Sequence, residues 1–405
     1  MGKINNDTMR ENNIRLVLNT IRKAGSISRA ELAKQLHLTS PAVTNIVGNL
    51  LARGMVQETG FAQSSHGRKP ISVSIDPGAC RVLGAVISTD GVSVSLADFS
   101  AGILCTQRQP LDLRGDADSI LATVIGCARA CIRQSGVEPE RILAMGVAAP
   151  GPLDVRSGVM LDPPNFPNFH NVPICHILEE ALGIPTVLDK DANAAGLAEY
   201  YLGSHPQART VFSMFLFRDS IGGSLLLNGE IVHGFADGVG DIGHVMVDSN
   251  GPRCNCGRYG CLEAVAAGGA VLRQVQSRLK VGGQYALPDS FNVDALTLQD
   301  VVRLSREGLP LFRQTVSHAV DMIATALGNV ISIISPEVIQ IGGPVTELYP
   351  ELAQQVQSRI NSRSYPQFCS RIRVEASQLG GDCFSLGAVM LALTAYQTLL
   401  LQDQN

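Results

Sequence analysis

Two features that would direct this chain into or across a membrane are missing. No run of about 18 or more apolar residues occurs. The amino-terminal M-G-K-I-N-N-D has no apolar stretch of the secretory kind. A cytoplasmic protein without membrane insertion is therefore expected. With no oxidising destination, the ten cysteines read as buried thiols and metal ligands rather than a disulfide framework. Cys127 and Cys131, one helical turn apart, are assigned to a core. Acidic residues are scarce at the front, where residues 1–70 carry 10 Lys and Arg against 4 Asp and Glu. The remainder carries 22 against 32, so only the front end is suited to a polyanion. At 405 residues and 45% hydrophobic, the chain has room for two or three domains with sizeable cores.

The densest chemistry lies in residues 240–263, G-D-I-G-H-V-M-V-D-S-N-G-P-R-C-N-C-G-R-Y-G-C-L-E. His244, Cys254, Cys256 and Cys261 offer one imidazole and three thiolates, the donor set of a closed tetrahedral zinc site. The alternative is unpaired cysteines or a disulfide. A C-x-C pair closes a cramped disulfide ring, and a reducing compartment disfavours one. The expected cofactor is zinc, with Gly257 and Gly260 allowing the backbone to turn around it.

At the front, Ile14, Val17, Leu18 and Ile21 recur at i, i+3, i+4 and i+7, which predicts a helix over 12–24. Ser28-Arg29-Ala30-Glu31 is a capping box that opens a second helix. In Leu38-Thr39-Ser40-Pro41, Ser40 is placed as the cap and Pro41 as the first residue of a third. Val43, Ile46, Val47, Leu50 and Leu51 face inward, leaving Thr39, Ser40, Ala42, Thr44, Asn45 and Asn49 outside. Three short helices with a tight turn before the last suit a helix-turn-helix whose third helix enters the major groove. In that groove Asn45 suits adenine, and Thr44 or Ser40 suits a base or a phosphate. Strands at 55–58 and 71–75 flank a polar loop and complete a winged helix. Gly67, Arg68 and Lys69 at its tip suit a narrow minor groove. The competing readings are a three-helix protein-interaction module and a merely solvated basic loop.

From Arg81 onward, strands at 82–87, 92–98, 103–107 and 142–148 alternate with a helix over 117–134, the pattern of an α/β domain. Five motifs then carry a resemblance: A-P-G-P-L-D (149–154), P-P-N-F (163–166), D-A-N-A-A-x-x-A-E (191–199), G-D-I-G-H (240–244) and C-x-C-G-x-x-G-C-L-E (254–263). The chain resembles the ROK family of repressors, open reading frames and sugar kinases. The match runs over about residues 80–395, and the winged helix points to the repressor branch. The resemblance implies two ribonuclease-H-like lobes in an actin-like body, with a sugar cleft between them. The expected division is a DNA-binding domain at 1–78, a small lobe at 79–195 plus 381–405, and a large zinc-bearing lobe at 196–380.

It further implies sugar contacts from Asn165, Asp191, Asp241, His244 and Glu263. A buried sugar needs paired donors and acceptors, and these side chains supply them. Asp191 stands at a helix start, where the dipole favours a carboxylate. In the resembling kinases that position takes the proton from the phosphorylated hydroxyl. Helix cap and turn residue are the plainer roles for Asp191 and Asn165. Two departures from the kinases, Asp241 in place of Glu and Lys190 in place of Asn, suit a phosphorylated or acidic sugar.

Catalysis is not expected. Phosphoryl transfer needs glycine-rich turns whose N–H groups reach phosphate. Ile87-Ser88-Thr89-Asp90-Gly91 stands where the kinases carry D-x-G-G-T. Ser220-Ile221-Gly222-Gly223-Ser224 stands in place of G-T-G-x-G, with Arg218 and Asp219 at its entry. Only Ile339-Gln340-Ile341-Gly342-Gly343-Pro344 keeps its strand-turn form. The expected function is a sugar-responsive repressor acting as a homodimer, or a dimer of dimers, on an inverted-repeat operator. An active sugar kinase with a DNA-binding module is the alternative, and a regulatory protein partner in place of a free sugar is the third reading.

Overall fold

Helix α1 (Asn6–Ala24) carries Ile14, Val17, Leu18 and Ile21 on one face, and all four are buried. The computed structural model that shows this describes residues 6–61, 71–113, 115–203, 208–282, 292–363 and 371–402. After a two-residue strand β1 (Ile27–Ser28), helix α2 (Arg29–Leu36) opens with the expected capping box. The Ser28 hydroxyl accepts the Glu31 N–H at 3.2 Å, and the Glu31 carboxylate accepts the Ser28 N–H at 3.2 Å. Helix α3 (Ser40–Ala52) corrects the expected cap by one residue. Thr39 caps it, accepting from the Ala42 N–H at 3.4 Å, and Ser40 opens the helix. Pro41 becomes the second helical residue, which loses nothing because that N–H has no intrahelical partner.

Strands β2 (Val56–Phe61) and β3 (Ile71–Ile75) pair antiparallel, and β1 adds to the other side of β3. Its register, Ile27↔Val73 and Ser28↔Ser72, gives the winged helix a third strand too short to show in the sequence. Gly67, Arg68 and Lys69 lie outside the described residues.

Next come β4 (Arg81–Ser88), β5 (Gly91–Asp98), β6 (Ile103–Gln109), α4 (Ala117–Ser135), β7 (Ile142–Ala149) and the small hairpin β8 (Leu153–Asp154) and β9 (Val159–Met160). Helix α5 (Ile174–Leu182), strand β10 (Thr186–Lys190) and helix α6 (Asp191–Leu202) follow. The sheet order is β10-β7-β4-β5-β6, with β10, β7 and β4 parallel and β4-β5-β6 an antiparallel meander. Cys105, Cys127 and Cys131 all lie in its core.

The pattern then repeats. Strands β11 (Thr210–Leu216), β12 (Ile221–Leu227) and β13 (Glu230–Ile231) form a meander, followed by helices α7 (Leu262–Ala266), α8 (Gly268–Val281), α9 (Leu298–Arg306) and α10 (Pro310–Ile334). Strand β14 (Val338–Gly342), helices α11 (Pro344–Leu348) and α12 (Leu352–Arg363), and strand β15 (Arg373–Ala376) complete it. The order β13-β12-β11-β14-β15 is the first sheet's topology over again, the duplicated α/β unit of an actin-like body. Helix α10 is long and apolar enough by composition to cross a membrane. Leu311, Phe312, Val316, Val320, Ile323 and Leu327 nonetheless place it in the second core.

The last helix, α13 (Cys383–Gln402), returns to the first sheet. The chain forms two compact units, Met1–Pro206 with Cys383–Asn405, and Gln207–Asp382. A boundary after 195 would cut α6, which is one continuous helix; the division falls beyond it.

Candidate functional site

In the second unit, a one-turn 3-10 helix (Ile242–His244) turns the imidazole of His244 toward the loop that carries the cysteines. The ligand atoms of His244, Cys254, Cys256 and Cys261 all lie within 4.8 Å of one another. Cys256 and Cys261 sulfurs are 3.7 Å apart, and Cys254 Sγ is 3.8 Å from His244 Nδ1. The edge of a tetrahedron with metal–sulfur distances near 2.3 Å is about 3.8 Å, so the donors already stand at four-coordinate spacing. Bridges Met246↔Cys261 and Arg253↔Tyr259 fold the loop back on itself. Gly260 makes the fold possible, because its φ is +68° and a Cβ there would meet the Asp248 carbonyl oxygen at 1.6 Å.

The electrostatics suit metal thiolates. Burial pushes the Cys254 thiol up to about 12. Burial also opposes ionisation of Cys256, but hydrogen bonds from the Arg258 backbone and side chain and from its two thiol neighbours outweigh it, holding Cys256 down to about 6. A cation bound among thiols so arranged would displace their protons to water. Because Nδ1 faces Cys254, Nε2 of His244 is the nitrogen left for another partner. Glu263 is raised by burial, against the opposing pull of His244. One of its oxygens lies 3.5 Å from Cys254 Sγ, and the other accepts the Ile221 N–H at 3.3 Å. It therefore ties the cluster to the first residue of β12. Asp241 is exposed, one 3-10 turn before His244.

In the first unit, β10 runs directly into α6, so Asp191 emerges beyond the carboxyl end of a parallel strand, where α/β sheets place their ligands. It is half-buried and accepts the Ala192 N–H at 2.7 Å. Lys190, paired with Ala149 in the sheet, is buried at 6% exposure. The half-buried Asn165 lies in a turn closed by the Phe166 N–H on the Pro163 carbonyl and anchored by buried Phe166 and Phe169. That segment is tied to the loop after β7 by the Leu161 N–H on the Pro152 carbonyl, at 3.0 Å.

The two turns that stand where the kinases carry phosphate loops are each closed by hydrogen bonds of their own. Between β4 and β5 the Ser88 hydroxyl accepts the Asp90 N–H at 3.3 Å and donates to the Gly91 carbonyl at 3.1 Å. Between β11 and β12 the Phe217 N–H closes on the Ser220 carbonyl at 2.9 Å. Asp219, at that tip, bonds Arg273 at 3.2 Å and lies against the first turn of α8, where a Cβ on Gly269 would meet its carboxylate at 2.2 Å.

On the winged helix, Thr39, Ser40, Thr44, Asn45 and Asn49 are exposed along α3, and Ala42 is half-buried. Thr44 bonds the Ser40 carbonyl at 2.8 Å, and Asn49 donates to Asn45 at 3.0 Å, which fixes the asparagine pair as one amide surface. What lies on the other side of α1 has no signature in the local residue pattern. Asn19 and Arg22 there are buried against the lobe, the guanidinium 5.1 Å from the Phe99 ring. Polar residues in a surface-like pattern hid that contact.

Comparison with known proteins decides the family. The ROK family pattern matches residues 116–395, more than half of the chain, and a winged helix-turn-helix DNA-binding pattern matches residues 10–57. The chain belongs to the ROK family. It is 24% identical over 390 residues to the xylose repressor of Caldicellulosiruptor bescii, covering 96% of this chain and 97% of that protein. The crystal structure of a ROK family transcriptional regulator homologous to the Escherichia coli Mlc protein shares the fold over 97% of this chain and 98% of its own, with TM-score 0.79 and 22% identity. The ROK hexokinase of Thermus thermophilus matches 80% of this chain and 99% of its own at TM-score 0.64 and 29% identity.

Proposed function

We propose that this ROK protein is a sugar-responsive transcriptional repressor of carbohydrate uptake or catabolism genes. The observation that carries the reading is the joining, in one chain, of a ROK body and a winged helix with a rigid, exposed polar edge on α3. The xylose repressor supports it through similarity along nearly the whole of both chains. Thr39, Ser40, Ala42, Thr44, Asn45 and Asn49 face the major groove, and Gly67, Arg68 and Lys69 the minor groove. Two copies read an inverted repeat, because two recognition helices about one DNA turn apart need a two-fold partner. The effector is a sugar or sugar phosphate held by Asn165, Asp191, Asp241, His244 and Glu263, in a protein of the cytoplasm. His244, Cys254, Cys256 and Cys261 hold a structural zinc, which cross-links the loop and fixes the imidazole so that Nε2 is presented to the effector.

The kinase reading is favoured by the hexokinase likeness and by Asp191 at the head of α6. Against it stands Asp219, a carboxylate lodged where a nucleotide phosphate would need bare N–H groups. The test couples two assays on the full chain: ADP release with a panel of hexoses, and binding to DNA fragments selected by the protein itself. Turnover that Asp191→Asn abolishes would overturn the repressor reading. Sugar-independent DNA binding together with a co-purifying protein would replace the sugar by a partner protein.

A further inference from the structure

We propose that α6 is the relay between the effector residue Asp191 and the DNA-binding module, and that Asn19, Arg22 and Lys23 of α1 are its receiving end. The inference rests on Asp191 as an effector contact and extends that reading to how the signal travels.

The relay begins at Asp191, the first residue of α6, and every residue from Ala192 to Tyr201 is buried. At 1.5 Å per residue, Tyr200 lies about 14 Å along the axis from Asp191. Nothing along that length is free to yield. A Cβ on Gly387 of α13 would stand 2.4 Å from the Ala194 carbonyl group and 2.8 Å from the Ala195 nitrogen, so the two helices touch backbone to backbone. Helix α13 meets the sheet in the same way, at Gly84 against Val389 and at Gly146 against Ala388. Close-packed interfaces of this kind transmit a displacement rather than absorb it.

At its far end α6 meets the DNA-binding module. Lys23 Nζ donates to the Tyr200 carbonyl at 3.1 Å. Carbonyls of a last helical turn lack intrahelical donors and carry the negative end of the dipole, so a lysine suits them. Asn19 hydrogen-bonds the Tyr201 hydroxyl and accepts from Arg22 Nη1 at 2.8 Å. Arg22 in turn donates through Nε and Nη2 to the Phe99 carbonyl, each at 3.3 Å. Arg22 is 7% exposed and burial pulls it down to about 10, so it remains charged at neutral pH. The dock is thus a directional set of hydrogen bonds around a buried cation. Apolar contact would tolerate sliding, whereas these bonds do not survive a shift of an ångström or so. Such an interface is suited to being held or released rather than to sliding, which is what a switch requires.

Two measurements on the full chain test the relay, using Arg22→Met and Lys23→Met alone and together. The first needs no effector. Amide hydrogen exchange should rise about tenfold or more along α6 from Ala192 to Tyr201 as one block in the double variant. A rise confined to Tyr200–Leu202 would mean that the helix end merely frays, and would overturn the relay. The second uses D-xylose, D-glucose, N-acetylglucosamine and their phosphate esters as probes. A sugar that changes the wild-type affinity for selected DNA should leave that of the double variant unchanged, while calorimetry without DNA shows that the double variant still binds the same sugar. A double variant that keeps the full sugar effect would also overturn the relay. If no probe binds the wild type but α6 exchanges as a block, the effector reading fails and the mechanical coupling stands.

Discussion

Replacing Cys256 by serine tests the metal assignment most sharply, and the expected size of the effect follows from the geometry. Its sulfur is 3.7 Å from Cys261 Sγ, inside a tetrad whose donor atoms all fall within 4.8 Å. Structural zinc contributes about 10–16 kcal/mol in small zinc modules, so one of four ligands accounts for roughly 3–4 kcal/mol. Zinc affinity should therefore fall by two to three orders of magnitude. The assay is competition against a chromogenic chelator, with one zinc per chain expected in the wild type. The same variant should lose its response to sugar, because the cluster positions His244 and, through Cys254, the Glu263 carboxylate. Wild-type zinc affinity in the variant, or a zinc-free wild type, would refute the metal site. Normal induction in a zinc-free variant would refute the shared role of His244.

Three further outcomes follow from other parts of the chain. Asn45→Ala removes a base-facing amide and the acceptor that orients Asn49; it should weaken binding to selected DNA by about 1–3 kcal/mol, measured by anisotropy at fixed salt, with little change in melting temperature. Ser28→Ala should cost about 1 kcal/mol of winged-helix stability in denaturant titration. Hydrogen bonds from Ser28 hold the Glu31 carboxyl below its usual range, so that contribution is full above the unfolded-state value near ~4.3 and lost as pH falls through the folded one. Lys23 shifts in the same direction for a different reason: burial draws it down to about 8, so the unfolded chain holds more protons between there and about 10.4. Stability should rise across that window, and Lys23→Met should remove the rise; an unchanged slope would show that Lys23 is not desolvated.

What the sequence made legible was whatever depends on local pattern. The helix faces of α1 and α3, the Ser28–Glu31 capping box and the start of α6 at Asp191 each follow from spacing within a few residues, and each is found in place. The donor set of the metal cluster was legible for the same reason, since three of its four members lie within eight consecutive positions. The cap of α3 was misplaced by one residue because Thr39 and Ser40 are chemically equivalent caps, and only the backbone chooses between them. Strand β1 was invisible because two residues carry no periodicity. The dock of α1 on the lobe was hidden more deeply: Asn19 and Arg22 are polar and lie off the apolar face of α1, and only the approach of Phe99 and Tyr201 from far along the chain buries them.

The closed phosphate turns and the polar dock bear on the same problem. A kinase uses the interaction with its sugar to orient a hydroxyl for transfer, so an effector bound equally well in every conformation would still be phosphorylated. A repressor cannot work that way, because a ligand shifts an equilibrium only through the difference in its affinity for two states. Allosteric couplings typically amount to about 1–3 kcal/mol. A hydrogen bond to a charged group contributes about 1.5–3 kcal/mol, so releasing the Lys23–Tyr200 or Arg22–Phe99 contact alone supplies a coupling of that size. In the relay that release goes with a shift of α6 as one body, from Asp191 to Tyr201.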